Sequence, residues 1–218
     1  MTTHMSDQSR RRLRSTGRRR RKRNIEEINL SPFPRALPAG RSLHSLALHP
    51  AVTFVIGENG SGKSTLLEAI AVAWGLNPEG GTRNFSFQTR GSHSSLHEKL
   101  TLVKSYRRPK DGFFLHAESF FNLATDIERM DAEIARAPPI INSYGGRSLH
   151  EQSHGESFFA LLTKWFGGQG FYVLDEPEAA LSPSRQLAMI ARIHQLVQAR
   201  SQFIIATHSP ILMAYPDA

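Results

Sequence analysis

Eight residues restrict this chain more than any other stretch. Gly57, Glu58, Asn59, Gly60, Ser61, Gly62, Lys63 and Ser64 complete the pattern G-x-x-x-x-G-K-[ST]. A short apolar β-branched run, Ala51 to Ile56, precedes them, and a stretch of helix formers, Ser64 to Trp74, follows, with Gly75 as its stop. A run of that kind reads as a strand buried on both faces of a parallel sheet. Glycines let backbone N–H groups converge on phosphate oxygens with no Cβ in the way. The helix start adds free donors and partial positive charge. Lys63 is placed to reach the β- and γ-phosphates, the Ser64 hydroxyl to ligate Mg²⁺, and Thr65 to extend the cradle. The chain must therefore build an α/β sheet that delivers this loop to one edge.

Composition removes several classes. With no cysteine among 218 residues there is no disulfide framework, thiolate nucleophile or cysteine zinc site. No apolar run nears the roughly 18 residues of a membrane helix, so no membrane insertion is expected. The expected compartment is the cytoplasm. The net charge of +8 is uneven. Residues 1–23 hold ten Lys/Arg and one acid, Asp7, whereas the other 195 residues hold 17 basic and 18 acidic residues. A tail with Leu13 as its one large aliphatic residue besides methionine and no aromatics buries nothing, and is expected to be disordered. It reads either as a solvated extension or as an arm for nucleic acid or another anionic surface. The expected organisation is this Arg-rich tail, 1–23, followed by one nucleotide-binding domain, 24–218. A sheet domain of this kind usually continues with another strand beyond His208, so the end at Ala218 suggests a truncated or naturally short C-terminus.

Further strands are expected at Asn24–Leu30, Leu43–Leu48, Gly170–Leu174 and Gln202–Thr207. Helices are expected at Glu118–Ala137, Glu156–Phe166 and Ser184–Arg200. Thr101–Tyr106 and Gly112–His116 flank Arg107–Gly112 and predict a hairpin with an Asp111-Gly112 turn.

Three more places carry chemistry. The apolar strand Phe171–Leu174 ends in Asp175 and Glu176, delivering Asp175 to hold Mg²⁺ and Glu176 to act as general base on a water. Ser153, Gly155 and Glu156 open a helix after a Ser/Gly-rich loop, which makes either an N-cap or a second anion site. His208 ends the last strand, where it is either structural or a hydrogen-bond partner for a γ-phosphate. Gln88 is either a surface residue or a contact to Mg²⁺ or the water.

Taken in order, these pieces resemble the ATP-binding cassette (ABC) ATPase superfamily, and within it the soluble recombination/repair and chromosome-maintenance (RecF/SMC-like) ATPases and bacterial AAA-family ATPases. Residues 57–64 are similar to Walker A, and Gln88 to the Q-loop glutamine. Gln152 to Glu156 is similar to the signature motif, Asp175 and Glu176 to Walker B with its catalytic glutamate, Ala180 to Ser182 to the D-loop, and His208 to the switch histidine. Ser153 lies 22 residues before Asp175, and His208 lies 33 after it. The resemblance implies a P-loop NTPase with a mostly parallel central sheet flanked by helices and a small antiparallel β subdomain. It also implies ATP and Mg²⁺ as cofactors, and catalysis by Glu176, His208 and Lys63. Nucleotide contacts would come from residues 57–65, Gln88, Ser153, Gly155 and Glu156, and metal contacts from Ser64, Gln88 and Asp175.

In such proteins ATP joins two copies head to tail, with Ser153 and Gly155 acting across the dimer. The expected partners are a second copy, a further unidentified protein, and nucleic acid through the tail. His154 stands where the family has a glycine, Glu156 where it has glutamine, and Ser182 where it has aspartate. These departures favour a soluble role in nucleic-acid maintenance or defence over the alternative, an ABC transporter subunit. The 65 residues from Gln88 to Ser153 leave no room for a coiled-coil arm.

Deleting residues 1–23 is expected to leave ATP turnover unchanged in a phosphate-release assay. If the tail is a nucleic-acid arm, its loss will flatten the dependence of that binding on salt.

Overall fold

The computed structural model describes residues 25–30, 45–78, 80–81, 95–104, 109–116, 154–216 and 218. The Arg-rich tail, Gln88, Ser153 and the expected helix 118–137 lie outside the described residues.

Two sheets form among the described residues. Strands β1 (Ile25–Leu30), β2 (Ser45–Ala47) and β4 (Leu100–Lys104) form an antiparallel sheet in the order β2-β1-β4. Strands β3 (Val52–Val55), β5 (Asp111–His116), β6 (Gly170–Asp175) and β7 (Gln202–Ala206) form a parallel sheet in the order β3-β7-β6-β5. The P-loop NTPase architecture expected from the sequence, a parallel sheet with helices and a separate antiparallel unit, is the one observed.

Helices α1 (Lys63–Trp74), α2 (His154–Lys164) and α3 (Pro183–Gln198) supply the cover, and a short α4 (Pro210–Met213) follows β7. Successive strand residues point to opposite faces, so the parallel sheet feeds two cores. Phe113, Leu115, Tyr172, Leu174, Phe203 and Ile205 join Phe158 and Leu162 of α2 and Met189 and Ile193 of α3. Phe114, Phe171, Val173, Ile204 and Ala206 join Leu67 and Ile70 of α1, together with Ile25 and Ile28 of β1. Both faces are covered, which is why these strands read as continuous apolar runs rather than alternating ones.

The expected hairpin between residues 101 and 116 is not formed. β4 pairs with β1, and β5 pairs in parallel with β6. Asp111-Gly112 is the start of β5 rather than a turn. A Cβ on Gly112 would lie 2.8 Å from the Trp74 ring, so the glycine makes room for that ring, which stacks on Phe171 with centroids 5.0 Å apart. Asp111 accepts from the Gly112 N–H and lies 2.8 Å from the Tyr172 hydroxyl. Burial, first, and the Asp111 carboxylate, second, push the Tyr172 hydroxyl well above the ordinary phenol value.

Helix ends follow local chemistry. α1 closes on Gly75 in the left-handed region (φ 100°), with Gly75 N–H on Val72 O and Leu76 N–H on Ala71 O, a Schellman stop. α3 ends two residues short of the expected Arg200, which itself takes a left-handed φ of 73°. Arg192 of α3 donates to the carbonyls of Leu162, Thr163 and Phe166, so it satisfies the end of α2.

One side chain ties the two sheets. Gln202, fully buried in β7, accepts from Ile25 N–H and donates to Ile25 O and His49 O, all at 2.9 Å. Gln202→Leu would bury these backbone groups without partners, so stability is expected to fall by about 2–5 kcal/mol. Urea unfolding measures this, and turnover per folded molecule should stay near that of the parent chain, because Gln202 sits at the opposite end of β7 from Ala206.

Candidate active site

Parallel pairing aligns the strand ends. Val55 pairs with Ala206, Ala206 with Asp175, and Asp175 with His116, in one row across the sheet. The segments that leave this row carry the candidate residues, at the carboxyl edge where open α/β sheets bind ligands.

The loop 57–62 rises from β3 into α1. Gly60 and Gly62 take φ values of 76° and 92°, a left-handed backbone that suits glycine. A Cβ on Gly57 would lie 2.8 Å from Ser61 Oγ, so that position has no room for a side chain. Glu58, Asn59 and Gly60 are exposed at the tip, while Ser61, Ser64 and Thr65 are half-buried. The buried Lys63 ammonium donates to Gly57 O at 2.8 Å and Glu58 O at 3.0 Å. Its Nζ also lies 3.8 Å from Glu176 Oε1. Lys63 thus spans from the loop to the acid that follows β6.

Asp175 is 1% exposed, and neither of its oxygens has a hydrogen-bond partner of good geometry among the described residues. His116 Nε2 approaches Oδ2 to 3.3 Å. Burial raises the Asp175 pKa above the ordinary carboxylate value, and the Glu176 charge adds to the rise. The Ser64 hydroxyl, His116 and Lys63 act in the opposite sense. A buried carboxylate with open lone pairs beside a serine hydroxyl is the donor chemistry a hard cation such as Mg²⁺ takes.

Glu176 leaves the strand in the left-handed region, φ 48° and ψ 50°, a conformation uncommon for a residue with a side chain. Its N–H still bonds Ala206 O at 2.9 Å, and its Oε1 lies 2.9 Å from His208 Nε2. Both side chains are more than a third exposed. The candidate base, the candidate switch histidine and the loop lysine therefore meet in one cluster at the sheet edge.

Gly155 and Glu156 are placed by other contacts. A Cβ on Gly155 would lie 2.7 Å from both Ala180 O and Arg185 Nη1, and Glu156 Oε1 pairs with Arg185 Nη2 at 3.2 Å. The start of α2 is thus packed on the turn after β6 and on α3.

Two residues of this edge escaped the sequence reading. The expected hairpin makes His116 no more than a strand end, although a polar residue closing an apolar run is a signal. Glu178, in the short helical turn Pro177–Ala180, accepts from Thr207 Oγ1–H and His208 N–H, both at 2.7 Å. Nothing local in the sequence marks it, since its partners lie about thirty residues away.

Fold and site together define a P-loop ATPase. One family model, the AAA domain, matches residues 23–130, and a second, described as AAA domain, putative AbiEii toxin, Type IV TA system, matches residues 140–214. Both matches are to AAA domains, and they support an ATP-binding ATPase, in line with the resemblance its motifs carry. No curated protein matches it. Among solved structures it is similar to the SMC head domain from Thermotoga maritima, at 18% identity over 88% of this chain and 92% of that one, with a TM-score of 0.47. It is also similar to an SmcHead bound to the C-winged helix domain of ScpA, at 16% identity, the same coverages and a TM-score of 0.46. No helix among the described residues is long and apolar enough to cross a membrane.

A raised carboxylate pKa means that the charged Asp175 disfavours the fold. That stability is lost as pH rises from the ordinary carboxylate range through the raised one. Asp175→Asn is therefore expected to stabilise the nucleotide-free chain at neutral pH. Mg-ATP is expected to raise the thermal midpoint of the parent chain but not that of this variant. Thermal unfolding with and without Mg-ATP reads both effects.

Proposed function

We propose that the chain hydrolyses ATP with Glu176 as general base and uses the γ-phosphate to gate a head-to-tail homodimer in a soluble role, in nucleic-acid maintenance or defence. The observation that carries this reading is the convergence of Lys63, Asp175, Glu176 and His208 on the carboxyl edge of one parallel sheet.

The loop 57–64 and Thr65 hold the phosphates through backbone N–H groups, with the Lys63 ammonium moving from the loop carbonyls to the β- and γ-phosphates. Ser64 and Asp175 would hold Mg²⁺, which when bound neutralises charge on those phosphates. Glu176 takes a proton from the attacking water, and His208, 2.9 Å from it, orients that water or the γ-phosphate. Gln88 would complete the metal shell. In the dimer Ser153, Gly155 and Glu156 face the γ-phosphate bound by the other copy. The contacts of Gly155 and Glu156 with Ala180 and Arg185 support this reading, because they couple the α2 start to the segment that follows Glu176. The 1–23 tail and the 24–218 domain divide the work: the domain switches, and the basic tail offers a contact for nucleic acid.

Glu176→Gln tests the reading. Turnover measured by phosphate release is expected to fall by about 100-fold or more. ATP binding should persist, and light scattering should show the variant shift from monomer to dimer with Mg-ATP. Hydrolysis at the parent rate would remove Glu176 as base, and a monomer in saturating Mg-ATP would remove the dimer.

A further inference from the structure

His208 stands beyond the end of its strand. The last β6–β7 ladder pair is Asp175 with Ala206, and the last bond across it is Glu176 N–H to Ala206 O. From Thr207 onward β6 no longer supplies acceptors, because its chain has turned left-handed at Glu176. The His208 ring is 40% exposed, so packing alone holds it weakly, yet its Nε2 sits 2.9 Å from Glu176 Oε1. Thr207 N–H still reaches Val55 O of β3, but at a long 3.4 Å, so the His208 backbone beyond it needs another group to hold it.

Glu178 is that group. One carboxylate oxygen accepts two hydrogen bonds, from the Thr207 hydroxyl and from the His208 N–H, both at 2.7 Å. Such charge-assisted bonds are short and strong. Thr207 is fully buried and its Oγ1 also accepts from Ser209 N–H at 3.0 Å, so Glu178 grips the segment 207–209 at its centre. The second oxygen, Oε2, is buried with no hydrogen-bond partner among the described residues. An ionisable side chain kept there at that cost calls for a role beyond filling space. Glu178 lies two residues after Glu176 on a turn stiffened by Pro177 and closed by Ala179 N–H on Glu176 O. A short rigid piece of chain therefore carries the candidate base at one end and the clamp on its histidine partner at the other.

We propose that Glu178 is a positioning residue for hydrolysis: it sets the His208 ring against Glu176 by holding the backbone N–H of His208. This rests on the reading of Glu176 and His208 given above. Glu178 touches neither nucleotide nor water in this role. It makes the spacing between base and histidine a property of one turn rather than of two independent loops. The requirement is for an acceptor at the position of Oε1, which a glutamine also supplies.

The test uses the full chain and steady-state ATP hydrolysis. Glu178→Ala is expected to lower kcat by about 10- to 100-fold, the scale of a misplaced catalytic group, with KM for ATP changed less than about twofold. Glu178→Gln should recover kcat to within about threefold, and Thr207→Val, which removes one of the two bonds, should fall between. In a His208→Ala background, Glu178→Ala should cost nothing further, since residues acting as one unit are not additive. Losses that multiply in the double variant, or a glutamine no better than alanine, overturn the proposal. So does a kcat loss that comes with a matching rise in KM. His208→Ala turning over at the parent rate would instead remove the role of His208, and the proposal would fall with the reading it rests on.

Discussion

The pairing of Asp175 with Ala206 is the constraint on which the rest of this molecule depends. In a parallel sheet every strand runs the same way, so level registers bring the carboxyl ends of neighbouring strands to one line. Here that line runs Val55, Ala206, Asp175, His116. The phosphate loop leaves it after Val55, Glu176 after Asp175, and Thr207 and His208 after Ala206. A slip of one residue between β6 and β7 would turn Asp175 from the edge into a core face. It would also part Glu176 from His208. The two apolar cores, one on each face of the sheet, make such a slip costly, because each strand alternates its large side chains between them.

The edge built this way is less relaxed than the sheet beneath it. Among the described residues Asp175 is buried without a good hydrogen-bond partner and Glu178 keeps a buried oxygen unpaired, and Glu176 holds a left-handed backbone. Each is a cost that the surrounding packing must offset, and each lies where a nucleotide-dependent chemistry would need a group held ready. Gln186 of α3 completes the frame: it donates to Leu181 O and bonds the Ser209 hydroxyl, joining the loop after β6 to the loop after β7 a second time. Motion of either loop must therefore move the other, which suits an edge that responds as one body to a γ-phosphate.

The antiparallel unit has a different standing. β1, β2 and β4 bury one face only, through Ile25, Ile28 and Leu100, against the core that contains α1. Their junction with the parallel sheet includes a polar tie at Gln202, whose amide does for Ile25 what a neighbouring strand would have done. A glutamine inside an apolar strand is therefore not a flaw in the pattern. It is the fastening between two sheets whose strands run in different directions.

What the sequence determined by itself is what depends on neighbours in the chain. The phosphate loop, the strands that feed it, the Gly75 stop and the acids that close β6 were legible because glycine spacing, apolar runs and capping are local. Tertiary structure alone decided the rest. Asp111-Gly112 looks like a hairpin turn until Trp74, nearly forty residues earlier, is packed over the glycine. His116 gains meaning only when β5 pairs with β6 and sets it beside Asp175. Glu178 becomes a clamp only when β7 brings Thr207 and His208 within reach. The physical reason is common to all three: the partner comes from an element far away in the chain, a helix packed on the sheet or a strand reached by a whole crossover, and no local pattern records which residue will arrive there.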